Sequence, residues 1–97
     1  MPKFIIEREV SGASMFSARE LHDISRKSND VIRGIGQKIQ WVQSYIAEDK
    51  IYCEYIAANE DVIREHALKG GFPISRISLI QAVIDPVTAE WQKIGQQ

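Results

Sequence analysis

A single cysteine, Cys53, in 97 residues leaves no partner for an intrachain disulfide and no CxxC pair for redox chemistry or zinc. A reducing compartment suits such a chain. Net charge is equally scarce: twelve Lys and Arg against thirteen Asp and Glu leave −1, too little for a long-range field that draws in nucleic acid or an anionic membrane. Long apolar runs are missing as well. No segment approaches the ~20 apolar residues of a membrane helix, and Met1-Pro2-Lys3-Phe4 leads into alternating residues where a signal peptide needs a continuous apolar stretch. These absences predict a cytoplasmic chain with neither nucleic acid nor membrane as partner. The length allows one core and not two, so residues 1–97 are expected to form a single domain that gains from association.

The chain has clear local periodicity. Lys3 to Val10 reads as a strand, with Phe4 and Ile6 on one face and Ile5 and Glu7 on the other. Ser17 and Glu20 make a capping box, with Phe16 and Leu21 as its hydrophobic staple, and open a helix whose Leu21, Ile24, Ser28, Val31, Ile32 and Ile35 share one stripe. Gly34 and Gly36 end it. Ile39–Ala47 and Lys50–Ala57 form two β-rich runs around a Glu48-Asp49 turn. Counting back from that turn puts Ile46, Ser44 and Val42 opposite Ile51, Cys53 and Tyr55 on the core face. The other face then carries Trp41, Gln43, Tyr45, Tyr52, Glu54 and Ile56. Asn59 caps a second helix with Glu60 and Asp61 in its first turn, and Val62, Ile63, His66 and Ala67 share its buried stripe. Gly70-Gly71 closes that helix and Phe72-Pro73 prevents its continuing. Arg76 to Ile84 is expected to be the fourth strand, with Leu79, Gln81 and Val83 facing away from Ile80 and Ala82. Asp85-Pro86 then starts a short C-terminal helix that docks through Val87, Trp91 and Ile94.

Strand, helix, strand, strand, helix, strand is the split βαβ order of an α+β, ferredoxin-like βαββαβ fold: a four-stranded antiparallel sheet with two helices on one face. Its other face would hold Ile5, Glu7, Trp41, Gln43, Tyr45, Tyr52, Glu54, Ile56, Leu79, Gln81 and Val83, too apolar a set to remain in water. The same face of a second copy is the simplest cover, which predicts a homodimer of the α+β barrel type. Its polar members are costly to bury without partners, by about 1 to 3 kcal/mol for a neutral group. A cavity between the sheets that holds water, a metal ion or a small ligand would relieve this; a position at the sheet margin, in contact with solvent, would do so equally.

The runs Ile39-Gln40-Trp41-Val42-Gln43-Ser44-Tyr45, Asp49-Lys50-Ile51-Tyr52-Cys53, Ile63-Arg64-Glu65-His66-Ala67, Gly70-Gly71-Phe72-Pro73 and Ile84-Asp85-Pro86-Val87-Thr88-Ala89-Glu90 resemble a family of small bacterial ferredoxin-like proteins. Its members are mostly of unknown function and similar to dimeric α+β barrel domains; some are described as nickel-binding. The resemblance implies a dimer and a divalent metal ion, nickel, as cofactor.

The residues offer two chemistries. His66 is a candidate metal ligand, completed by Glu7, Glu54 or Glu65 in a nitrogen and oxygen shell of the kind nickel accepts; the plain alternative is a half-buried histidine near a helix C-terminus. There is no HxxxH or HExxH pair. The second chemistry is a small-molecule-binding protein or enzyme that uses the inter-sheet cavity, with Glu7 or Glu54 as base, His66 as acid or base, and Tyr45 and Tyr52 as hydrogen-bond donors. No nucleophile triad or cofactor fingerprint selects a reaction. RNA binding through Tyr52 and Trp41 is disfavoured by the near-neutral charge and the absence of a basic-aromatic run.

Overall fold

The computed structural model describes residues 1–90. It contains β1 (Lys3–Glu9), α1 (Ala18–Ile35), β2 (Ile39–Ile46), β3 (Lys50–Ala57), α2 (Glu60–Gly70) and β4 (Arg76–Leu79), with a short 3-10 turn at Ala13–Met15 after β1. The strands lie in the order β2-β3-β1-β4, and every neighbouring pair is antiparallel. The chain is therefore α+β, with one four-stranded antiparallel sheet. Phe4, Ile6, Ile51, Cys53, Tyr55 and Ala57 share one sheet face, where they form the core with Val62 and Ile63 of α2 and with Ile32 and Ile35 of α1. Both helices thus cover the same face and leave the opposite one open.

Each helix is fixed at its ends by the residues that the pattern singles out. The Glu20 N–H donates to Ser17 Oγ and the Ser17 N–H donates to Glu20 Oε1, both at 3.1 Å, which satisfies two of the unpaired amides at the start of α1. At α2 the Val62 N–H donates to Asn59 Oδ1 at 3.0 Å. The end of α2 needs two glycines for different reasons. Gly71 has φ 70°, the left-handed C-cap conformation, whereas a Cβ on Gly70 would lie 2.2 Å from the Phe72 ring. Gly70→Ala is therefore expected to displace Phe72 and destabilise the fold by about 1 to 3 kcal/mol, the usual range for overpacking. Urea denaturation measures this, and a change below 0.5 kcal/mol would show that the ring shifts freely.

The pairing of β2 departs from the simple alternation that the turn predicts. Ile46, Tyr45, Ser44 and Gln43 stand opposite Ile51, Tyr52, Cys53 and Glu54, and then a bulge shifts the register so that Trp41 faces Tyr55 and Ile39 faces Ala57. Val42 is the inserted residue and is 40% exposed. Trp41 consequently lies on the helix side and not on the open face, where its indole N–H donates to Ser44 Oγ at 2.9 Å. Burial explains the difference. An unbroken ladder would bury Gln40 and Val42 and expel Ile39 and Trp41; with the bulge, Ile39 is only 4% exposed and a large indole is half-buried. Each such apolar side chain contributes about 1.5 to 3 kcal/mol when removed from water, which favours the bulge.

β4 is also shorter than expected, ending at Leu79 instead of Ile84. Leu79 pairs with Phe4, and so lies on the helix side of the sheet instead of the open face; Gln81 and Val83 lie outside the sheet. The neighbouring strand supplies the reason. The last ladder bond runs from the Ile80 N–H to the Lys3 carbonyl, and β1 begins at Lys3, so residues from Gln81 onward have no strand beside them to pair with. Residues 81–90 are all exposed. Within them, Asp85 Oδ1 accepts from the Val87 and Thr88 amides at 2.9 and 3.2 Å, an N-cap arrangement where a C-terminal helix is expected. Trp91 and Ile94 of that helix lie outside the described residues.

Candidate functional site

Two polar clusters occupy opposite faces of the sheet. The open face holds four of the five candidate residues in two adjacent rows. Glu7, Tyr52 and Tyr45 form one row across β1, β3 and β2; Ile5, Glu54 and Gln43 form the next. Glu54 is the hub. Its carboxylate accepts from Gln43 Nε2 at 3.1 Å and Tyr45 OH at 3.4 Å, and it pairs with Lys3 Nζ at 3.1 Å. The hydrogen bond from Gln43, followed by that from Lys3, holds the Glu54 carboxyl below the usual carboxylate range against the opposing cost of desolvation. Glu7 pairs with Lys50 Nζ at 2.7 Å, and that hydrogen bond raises the lysine's pKa. Each carboxylate is thus paired with its own lysine.

The fifth candidate is elsewhere. His66 is fully buried on the helix side, with its ring centroid 5.3 Å from that of Tyr55 and 5.3 Å from that of Phe72. Its Nε2 shares a 3.0 Å hydrogen bond with Ser28 Oγ, and its Nδ1 has no partner among the described residues. Burial, and then the positive charge of Arg8, push the His66 pKa down to about 4 despite the opposing pull of Ser28. The sequence pattern predicts a half-buried histidine at a helix end; α1, α2 and the Phe72 ring together enclose it completely.

Ser28 and Tyr55, on the stripe and the core face that the pattern predicts, complete this interior cluster together with Arg8, which the pattern does not place inside. The guanidinium is 3% exposed. Its Nη1 donates to the Pro73 carbonyl at 2.8 Å, Nη2 to Tyr55 OH at 3.4 Å and Nε to Cys53 Sγ at 3.4 Å, and its carbon lies 5.5 Å from the Phe72 ring centroid. The signal was present in β1, where Arg8 shares the inward parity of Phe4 and Ile6. Burial pushes the Tyr55 phenol up to about 12, so that it stays neutral beside the arginine.

Neither cluster forms a complete nickel site within one copy. The described residues contain no group of three or more His, Cys, Asp or Glu able to hold a metal ion. A divalent ion at His66 would meet a second cation, Arg8, two aromatic rings and only one nitrogen donor, which is a poor fit. The open face offers oxygen alone, from two carboxylates and two phenols, and Lys3 and Lys50 occupy the carboxylates. No helix among the described residues is long and apolar enough to cross a membrane.

No curated protein matches the chain at a significant level. Among solved structures, the crystal structure of SCO4226 from Streptomyces coelicolor A3(2) superposes with a TM-score of 0.71 at 14% identity, over 84% of this chain and 99% of that one. At that identity the likeness establishes a shared fold. The family profile described as "Nickel responsive protein SCO4226-like" matches residues 4–80, a span that contains every strand, both helices and both polar clusters. The chain belongs to the SCO4226-like family of nickel responsive proteins.

Proposed function

We propose that the chain is a nickel-responsive binding protein that acts as a face-to-face homodimer, in the ferredoxin-like, dimeric α+β barrel arrangement, and takes the cation between the two open sheet faces. The observation that carries this reading is the pair of carboxylates, Glu7 and Glu54, on a sheet face that the chain's own helices leave uncovered. A two-fold contact would double them to four around one centre and supply the oxygen shell that one copy lacks. Tyr45 and Tyr52 would border that centre, while His66 would remain outside it. The exposed segment 81–90, with Val83, Ile84 and Val87 open to solvent, has the apolar character of an arm that lies on a partner.

Sedimentation velocity and equilibrium dialysis against nickel chloride test the proposal together. The expected result is a dimer with saturable nickel binding, weakened at least tenfold by Glu54→Gln and by Glu7→Gln and unchanged in His66→Phe. A monomer at millimolar concentration overturns the reading, as does a dimer without saturable nickel binding. Nickel binding that His66→Phe abolishes and Glu54→Gln spares overturns the placement.

A further inference from the structure

Beneath the N-terminal half of α1 lies a chamber of about 190 Å³ that no part of the open-face proposal uses. Its walls are almost wholly apolar: Phe16 from the approach to α1, Leu21 and Ile24 from its first two turns, and Trp41, Ile51 and Tyr55 from the sheet. The bulge in β2 completes this wall by turning Trp41 inward. The exposed Ile46 also lines the chamber, which therefore opens to the surface at the end of β2. Apolar cavities of about 150 Å³ stay dry and accept benzene, so an apolar space of this size suits a small organic body better than water.

One charged group lines it, and that group lacks a counter-charge. Arg8 forms no ion pair with any carboxylate among the described residues, and the sequence beyond Glu90 has no acidic side chain. Its three hydrogen bonds go to a backbone carbonyl, a phenol and a thiol, which leaves two of its five N–H donors without a partner among the described residues. A buried lysine could shed its proton, but a guanidinium stays charged at any physiological pH. Removing such a charge from water without an opposite charge costs several kcal/mol. Of its titratable neighbours, His66 and Tyr55 are both neutral near pH 7 and supply no compensation; the third is Cys53, whose Sγ accepts from Nε. A positive charge at the wall of an open apolar chamber is complementary to a molecule with one anionic end and an apolar body.

We propose that this chamber is a binding site for a small organic carboxylate, of about the size of benzoate or hexanoate, whose carboxylate pairs with Arg8 and whose apolar body packs between α1 and Trp41. The pairing uses the two free donors of the guanidinium, in the planar fork geometry that favours carboxylates. The site is independent of the open-face carboxylates and lies on the other side of the sheet.

The Trp41 indole N–H, in the chamber wall, gives a nitrogen–proton NMR signal that reports occupancy. Titration with benzoate is expected to move that signal saturably at submillimolar concentration. Benzyl alcohol, with the same body and no charge, and acetate, with the charge and no body, should each bind at least tenfold more weakly. Arg8→Met should weaken benzoate at least tenfold and leave benzyl alcohol unchanged. Ile24→Trp, which fills the chamber without touching Arg8, should abolish both, and decides the matter if Arg8→Met does not fold. Benzyl alcohol binding as tightly as benzoate, benzoate binding that survives either substitution, or no shift of the signal at 10 mM ligand overturns the proposal.

Discussion

Acidification from pH 7 to pH 4 is expected to remove about 3 kcal/mol of folding stability through His66 alone. In the unfolded chain the imidazole titrates at the ordinary value of 6.5, and in the folded protein at about 4. Between those values the unfolded state binds a proton that the folded state refuses, so stability rises with pH across the window and is fully present above 6.5. The groups around the ring reinforce the effect. Arg8 on β1 is a permanent cation, the Tyr55 phenol on β3 is neutral, and Lys27 on α1 lies 5.8 Å from the Phe72 ring that stacks on His66. No carboxylate among the described residues pairs with the imidazole to welcome a proton. Urea denaturation at half-unit intervals from pH 7 to pH 4 measures the slope, and His66→Phe, which keeps a ring between Tyr55 and Phe72, should flatten it. A wild-type slope unchanged by that substitution would mean that the proton goes elsewhere. Glu54 contributes a separate loss at lower pH: its depressed carboxyl pKa gives stability above the ordinary carboxylate value that disappears as it protonates.

Trp41→Ala is expected to destabilise the fold by about 2 to 4 kcal/mol, at the lower end of large aromatic truncations because the ring is half-buried. The same substitution on the open face, where unbroken alternation would put Trp41, should cost less than about 1 kcal/mol. Val42→Ala provides the contrast, with an expected change within about 0.5 kcal/mol because Val42 is the exposed, inserted residue. Deletion of Val42 should also be tolerated. Removing it leaves Trp41 facing inward, Gln43 outward and Ser44 inward, which restores a regular ladder. Circular dichroism and denaturation of the deletion check this, and loss of the sheet would show that Val42 belongs to the ladder after all.

Trp41 marks the boundary of what sequence periodicity can deliver here. The two caps, the glycine ends of α2, the β2–β3 turn and the inward set of Phe4, Ile6, Cys53 and Tyr55 all follow from signals confined to a few neighbouring residues, and they were legible. The bulge was not. It depends on whether Ile39 and Trp41 together outweigh Gln40 and Val42 at a wall formed by a helix far away in the chain, and no local pattern states that balance. The early end of β4 has a similar origin, in where the adjacent strand β1 begins. For the candidate residues, strand parity sufficed to gather Glu7, Tyr45, Tyr52 and Glu54 on one face. It also contained Arg8 in phase with the core, although a charged residue in an inward position is easily read as a strand end. What parity could not supply was the Lys3 and Lys50 partners of the carboxylates, or the closure of α1 and Phe72 over His66.

β1 precedes β2, β3 and β4 in the chain and occupies an interior place in the sheet, between β3 and β4. Its register partners are distant in sequence: Phe4 aligns with Tyr55 on one side and with Leu79 on the other. A nascent chain emerging from the ribosome can zip the β2–β3 hairpin early, because that contact closes a tight loop. The β1 segment must wait with both edges unsatisfied until residues 50–57 and then 76–79 have been made. Such late, long-range closure slows folding and leaves an apolar strand open to stray pairing during translation.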